Sequence, residues 1–211
     1  MRTVVVYVHG LWMTGLEGRL LRRRLAKSLN AHAPVFHYPS VRAGIDANTA
    51  ALAERLTHLN ADTLHLVGHS LGGLLILKLF ESGGGARLAP GRVLLMGSPA
   101  AGSRAAQALA AWRWGKALLG KTVCEALLRA QERRWTQPRD LGVIAGSRNI
   151  GLGRLVNTHA APSDGTVYVD ETRIVGAKEH LTLPVSHTGL PFSAVVARET
   201  AAFLSRGQFT A

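Results

Sequence analysis

The segment Gly68-His69-Ser70-Leu71-Gly72 sets a serine midway between two glycines. A hydroxyl in that setting can serve as a nucleophile where the chain turns sharply from strand to helix. The flanking glycines remove side chains that would keep strand and helix apart. Such a turn aims the hydroxyl out of the sheet, and the first turn of the new helix offers backbone N–H groups to developing negative charge. A serine also needs a base, itself oriented by a third group. Of the nine histidines, His159, His180 and His187 follow Ser70 in the chain. His187 lies in Pro184-Val185-Ser186-His187-Thr188-Gly189, after a strand-like run and before a helix. That places it on a loop at the carboxyl end of a strand, where open α/β sheets keep their chemistry. His180 stands in a charged stretch at the other end of that strand, and His69 within the turn points its side chain away from the serine's. Between Ser70 and His187 the favoured acid is Asp164, in the turn Pro162-Ser163-Asp164-Gly165-Thr166-Val167, with Asp170 next. Acyl transfer would further need two backbone donors for an oxyanion. Leu71 N–H follows the nucleophile, and Leu11 N–H lies in His9-Gly10-Leu11-Trp12, where Gly10 lets the backbone turn.

Positioning these groups requires particular elements. Thr3–Val8 is an almost unbroken β-branched run, as in a strand buried on both faces. Leu16–Leu29 has apolar residues at helical spacing with Arg22, Arg23, Arg24 and Lys27 between them. Val35–Tyr38 reads as a short strand, and Asp46 or Asn48 as the cap of a helix through Leu59. Leu64–Val67, Arg92–Met96 and Gly142–Ala145 read as strands, Leu74–Phe80 as a buried helix and Phe192–Leu204 as a closing helix. Thr172–Val175 and Leu181–Val185 are weaker strand candidates. This alternation predicts an α/β fold: a mostly parallel sheet covered by helices on both faces, in one domain spanning 1–211. The Ala-rich segment 103–138, with Trp112, Trp114 and Trp135, interrupts the alternation as a helical insertion or cap.

Composition bounds the function. With 211 residues, 47% of them hydrophobic, the chain can bury a sizeable core. No apolar run reaches the roughly 18 residues of a membrane span, and the opening run before His9 is too short for a signal peptide, so a cytoplasmic protein is expected. Cys124 is the one cysteine, which excludes a disulfide framework and a Cys-rich zinc site. The residues call for no cofactor and no metal.

Together, His9-Gly10, Gly68-His69-Ser70-Leu71-Gly72, Asp164-Gly165-Thr166-Val167 and Ser186-His187-Thr188-Gly189 resemble the α/β-hydrolase superfamily, and within it the compact bacterial lipase/esterase group. The resemblance spans nearly the whole chain, least in 103–138. It implies a minimal fold lacking two N-terminal strands of larger members, with Ser70 as nucleophile, Asp164 as acid, His187 as general base and an oxyanion loop after His9-Gly10. It also implies cleavage of medium or long acyl esters through an acyl-serine. A thioesterase or acyltransferase with the same residues is the alternative.

Two other signals compete. Gly115-Lys116-Ala117-Leu118-Leu119-Gly120-Lys121-Thr122 matches a phosphate-binding loop formally, and Val167–Glu171 resembles its partner strand. That loop requires a strand before it, and Ala105–Ala111 has helix propensity instead. A binding protein that merely keeps a hydrolase fold is the remaining class. The net charge of +12 suggests an acidic partner. With no nucleic-acid motif behind it, the charge on Arg22–Arg24 and across Arg104–Arg139 favours an anionic lipid surface or an acidic acyl carrier over a polynucleotide. Oligomeric state is left open.

Overall fold

The computed structural model describes residues 1–127, 133–150 and 161–211. Among these, six strands form one sheet: β1 (Thr3–Val8), β2 (Val35–Phe36), β3 (Thr63–His69), β4 (Val93–Met96), β5 (Leu141–Gly146) and β6 (Glu179–Leu183). Their order is β2-β1-β3-β4-β5-β6, and every pairing is parallel. The helices are α1 (Arg19–Leu29), α2 (Ile45–Thr57), α3 (Leu71–Glu81), α4 (Arg104–Ala110), α5 (Gly115–Leu127) and α6 (Ala194–Arg206). The layered α/β architecture expected from the alternation is the one observed.

Two cores flank the sheet. On one face α1 and α6 pack Leu21, Leu25, Val196 and Phe203 onto Tyr7, Val67, Leu94 and Ile144. On the other, α2 and α3 pack Leu52, Leu56, Leu75 and Ile76 onto Val6, Leu66, Leu95 and Val143. Each such fully buried aliphatic side chain contributes on the order of 2 kcal/mol. The four central strands are covered on both sides, which is why they read as continuous apolar runs rather than alternating ones.

This topology selects the place for a site. The chain leaves β1 over one face through α1 and leaves β3 over the other through α3, so the order reverses between β1 and β3. Open α/β sheets bind ligands outside the carboxyl ends of the strands at such a reversal. Val8 pairs with Gly68 and Met96 with His69, so His9-Gly10, Ser70 and Gly97 emerge side by side there.

Several local expectations are corrected. α1 begins at Arg19, leaving Leu16 in the preceding turn. Neither Asp46 nor Asn48 caps α2, which starts at Ile45 behind Gly44. Asp46 pairs instead with Lys78 at 3.1 Å, and Asn48 is buried against Thr122. The Ile45 N–H donates to Glu125 on α5 at 2.8 Å, a cap contributed by a residue 80 positions away. Thr172–Val175 is no sheet strand: Asp170–Thr172 is a 3-10 turn, and Val175 makes an isolated bridge to Arg134. The last strand begins at Glu179, not Leu181, because its register pairs Glu179 with Gly142. His180 therefore lies within β6, its Nε2 2.8 Å from the Thr172 hydroxyl.

Buried histidines make the fold sensitive to acid. His65 on β3 is 4% exposed, and its Nδ1 accepts the Arg92 N–H at 3.0 Å. Burial, with Arg92 and Arg139 nearby, lowers its pKa from 6.5 to about 4. Burial also depresses His9 and His180, and His69 most strongly. A folded pKa below the unfolded one means that the unfolded chain binds the proton first. Stability is thus full above about pH 6.5 and falls as acid titrates the unfolded state, by about 1.4 kcal/mol per pH unit for each such histidine until its folded pKa is reached. Chemical denaturation should show a constant midpoint from pH 8 to 7 and a steep loss between pH 6 and 5. A midpoint unchanged at pH 5 would contradict this.

Candidate active site

The turn at Ser70 follows from local sterics. Ser70 joins β3 to α3 with φ 54° and ψ −121°, a conformation that non-glycine residues avoid and that costs on the order of 1–3 kcal/mol. The turn is held by Ser70 N–H donating to Met96 O at 2.9 Å and Gly73 N–H donating to Ser70 O at 3.0 Å. A β-carbon on Gly72 would collide with the Val8 carbonyl, and one on Gly68 with the backbone of Gly73. These glycines let α3 start directly against the strands, as the sequence pattern requires.

His187 and Asp164 arrive from two later loops. The Ser70 hydroxyl lies 3.0 Å from His187 Nε2, to which it can donate, and His187 Nδ1–H donates to Asp164 Oδ2 at 2.7 Å. Asp164 is 1% and His187 7% exposed. The other Asp164 oxygen accepts the N–H groups of Thr166 at 2.9 Å and Val167 at 2.7 Å, and His187 N–H donates to the Asp164 carbonyl at 2.8 Å. Asp164 and His187 are thus tied to each other through backbone as well as side chains. Asp170, the alternative acid, is instead paired with Arg104 at 2.6 Å, which holds its carboxyl below the usual range. His159 lies outside the described residues.

The loop after β1 closes the other side. His9 is stacked on Tyr38 with centroids 4.4 Å apart, its Nδ1–H donating to Gly10 O at 2.9 Å. Its Nε2 accepts the Tyr38 N–H at 3.4 Å, and the Tyr38 hydroxyl donates to His9 O at 2.8 Å. Burial keeps this imidazole neutral, as one donor and one acceptor require. A β-carbon on Gly10 would stand 3.2 Å from Ser70 Cβ, so the Gly10-Leu11 backbone passes directly beside the serine. Among the described residues, the N–H groups of Leu11 and Leu71 donate to no group of the chain. All of the sequence-selected residues, Ser70, Asp164, His187, Leu11, Leu71, His9, Gly10, Gly68 and Gly72, therefore lie around one point at the carboxyl edge.

Other contributors were invisible to spacing arguments. Gly97 directly follows β4, and Gly146 ends β5. A β-carbon on Gly97 would come within 3.1 Å of His187 Nδ1, and one on Gly146 within 2.7 Å of Asp164 Cβ. Only bare backbone leaves room for the pair. The one available signal was a glycine placed directly after each apolar strand run. The His69 Nε2–H donates to the His187 carbonyl at 3.2 Å, with the two rings 5.0 Å apart. Tyr38, read only as a strand residue, anchors the His9 loop.

The phosphate-loop match does not survive. Its segment falls in α5, the preceding residues form α4 rather than a strand, and Gly120 at φ 75° kinks the helix against Val41. The Thr122 hydroxyl is buried, donating to Ala43 O at 2.6 Å and accepting from Asn48 at 3.1 Å. Val167–Glu171 runs into the 3-10 turn and is no partner strand. The described residues contain no cluster of three or more potential metal ligands. None of the described helices is long and apolar enough to cross a membrane.

An all-parallel, doubly covered sheet with a serine, histidine and aspartate linked at a strand-turn-helix junction defines a hydrolase class of α/β protein. The model of the alpha/beta hydrolase family matches residues 5–201, and the chain belongs to that family. Its fold is similar to that of the mature Bacillus licheniformis lipase BlEst2, at 18% identity and a TM-score of 0.76, covering 97% of this chain and 91% of that one. The metagenomic carboxyl esterase MGS0156 is similar at 19% identity and a TM-score of 0.63, over 98% of this chain and 71% of that one. Phospholipase PlaB from Legionella pneumophila is similar at 18% identity and a TM-score of 0.64, over 81% of this chain but 44% of the larger enzyme. No curated protein sequence matches the chain.

Proposed function

We propose that the protein hydrolyses carboxylic esters with medium or long, lipid-like acyl chains through an acyl-serine intermediate. The observation that carries this reading is the continuous relay from the strained Ser70 through His187 to buried Asp164. Ser70 Oγ attacks the carbonyl carbon as His187 Nε2 takes its proton. The tetrahedral oxyanion is held by Leu11 and Leu71 N–H, each worth about 3 kcal/mol in the transition state. Collapse breaks the bond to the alcohol oxygen, which leaves with the proton returned by His187. A water deprotonated by His187 then attacks the acyl carbon, releasing the acid and restoring Ser70. Asp164 holds the imidazole in the Nδ1–H form and stabilises its charged state. In this reading the described part of the segment 103–138 forms a cap on the acyl-binding side, supported by the seating of Gly120 and Thr122 on the loop after β2; residues 128–132 lie outside the described residues.

A fluorophosphonate probe followed by peptide mass spectrometry tests the nucleophile. Phosphonylation should fall on Ser70 and abolish ester turnover, and labelling elsewhere would overturn the assignment. In the same assay p-nitrophenyl octanoate should show a higher kcat/KM than the acetate. Acyl thioesters turned over faster than oxygen esters would favour the thioesterase alternative.

A further inference from the structure

Among the described residues, basic side chains and several of the exposed apolar ones meet at one place. Leu16 is 73% exposed, Leu20 41%, Phe192 52% and Val195 39%, all on the connections that leave the carboxyl ends of β1 and β6. These same connections carry Leu11 and His187. Arg24, one helical turn beyond Leu20, donates to the Phe192 carbonyl at 2.7 Å, which brings the two connections onto adjoining ground. Trp12, beside Leu11, is 56% exposed at the same edge. An exposed Leu or Phe alone needs no explanation, but a group of them beside a hydrolytic centre does.

The cations of α1 complete the surface. Arg19, Arg23 and Lys27 recur every four residues, so they form one exposed stripe along the helix beside Leu20. Among the described residues none of the three has an ion pair, and α1 contains no acidic residue. The acid nearest in sequence, Glu17, takes the Tyr7 hydroxyl at 3.2 Å. Some of the other basic side chains are engaged within the chain. Arg22 donates to Ala33 O, Arg133 pairs with Glu81, and Arg139 donates to three backbone carbonyls.

We infer that this face, the start of α1 with the turn before α6, is a docking surface for an anionic lipid interface that holds the Ser70 site against the lipid. Leucine, phenylalanine and tryptophan standing out from the surface can enter the headgroup boundary, while a neighbouring row of cations meets anionic headgroups. A folded acidic protein would be met better by cations set around a recess than by apolar side chains that protrude. The purpose of the surface rests on the ester-hydrolase reading, but the binding does not.

Sedimentation with vesicles tests it, using the Ser70→Ala protein so that no lipid is consumed. Binding should be strong to phosphatidylcholine vesicles containing 30% phosphatidylglycerol, weak to phosphatidylcholine alone, and lost in high salt. Arg19→Gln with Arg23→Gln should weaken it about 30-fold. Leu20→Ser with Phe192→Ser should weaken it too, with unchanged hydrolysis of soluble p-nitrophenyl acetate when placed in the active chain, which also reports correct folding. Equal binding to both vesicles, undiminished binding by both double variants, or binding to an acidic acyl carrier protein without vesicle binding would each overturn the inference. Vesicle binding without any ester turnover in the active chain would instead leave the surface standing and remove the proposed reaction.

Discussion

Replacing Ser70 with alanine is expected to reduce kcat for p-nitrophenyl esters by at least about 10⁴-fold, while the thermal midpoint shifts by no more than a few degrees. The loss is large because, among the described residues, the hydroxyl is the group bonded to His187 Nε2, at 3.0 Å. The fold should tolerate the change because alanine meets the same backbone penalty at φ 54° that serine already bears. Among the described residues the hydroxyl makes no other hydrogen bond, and the turn is held through the Ser70 backbone N–H and carbonyl. Steady-state kinetics with circular dichroism decide the matter. Residual activity above about one percent of the parent would remove Ser70 from the reaction.

The second large effect is predicted for Asp164→Asn, about 10⁴-fold in kcat with KM little changed. The geometry explains why a nearly isosteric change should cost so much. Oδ1 accepts the Thr166 and Val167 N–H groups, so the amide oxygen of asparagine must take that position. The amide nitrogen is then forced to face His187 Nδ1, which must accept rather than donate. The imidazole proton moves to Nε2, where it blocks uptake of the Ser70 proton. Asp170→Asn is the control: that carboxylate is half exposed and paired with Arg104, and its loss should leave kcat within about threefold, as is usual for a surface pair. Equal effects of the two substitutions would mean that Asp164 does not orient the base.

The legibility of this site in the sequence varied with the range of the interactions that build it. The turn at Ser70 depends on neighbours within a few residues, so Gly68 and Gly72 announced it. The central strands were equally plain, because burial on both faces favours apolar residues at most positions, with His65 and His69 the exceptions on β3. Asp164 was harder. It follows β5 by a long stretch of chain, and only in three dimensions does its Cβ rest against Gly146 at the end of that strand. Glu125 capping α2, Tyr38 anchoring His9 and Gly97 making room for His187 are tertiary relations that no local window contains. The false cap at Asp46 and the false strand at Thr172–Val175 arose the same way, from local preferences overruled by partners distant in the chain. Arg22–Arg24 showed the converse: the run looked like a free basic patch, yet Arg22 and Arg24 donate to backbone carbonyls and the exposed stripe is Arg19, Arg23 and Lys27.

The tie between Asp164 and His187, made through backbone and side chain alike, also bears on when the protein becomes active. During synthesis from the amino end, β1, β3 and α3 can pair and set the Ser70 turn while the later loops are still unmade. That turn is then complete in shape but chemically idle, since a serine without its base is an ordinary alcohol. Both missing groups come from the last part of the chain and arrive as a joined pair, seated only after β5 and β6 have added to the sheet. On the proposed mechanism, reactivity should appear as a late, all-or-none event in folding, and a ribosome-bound fragment ending before β6 should carry the Ser70 turn yet hydrolyse nothing.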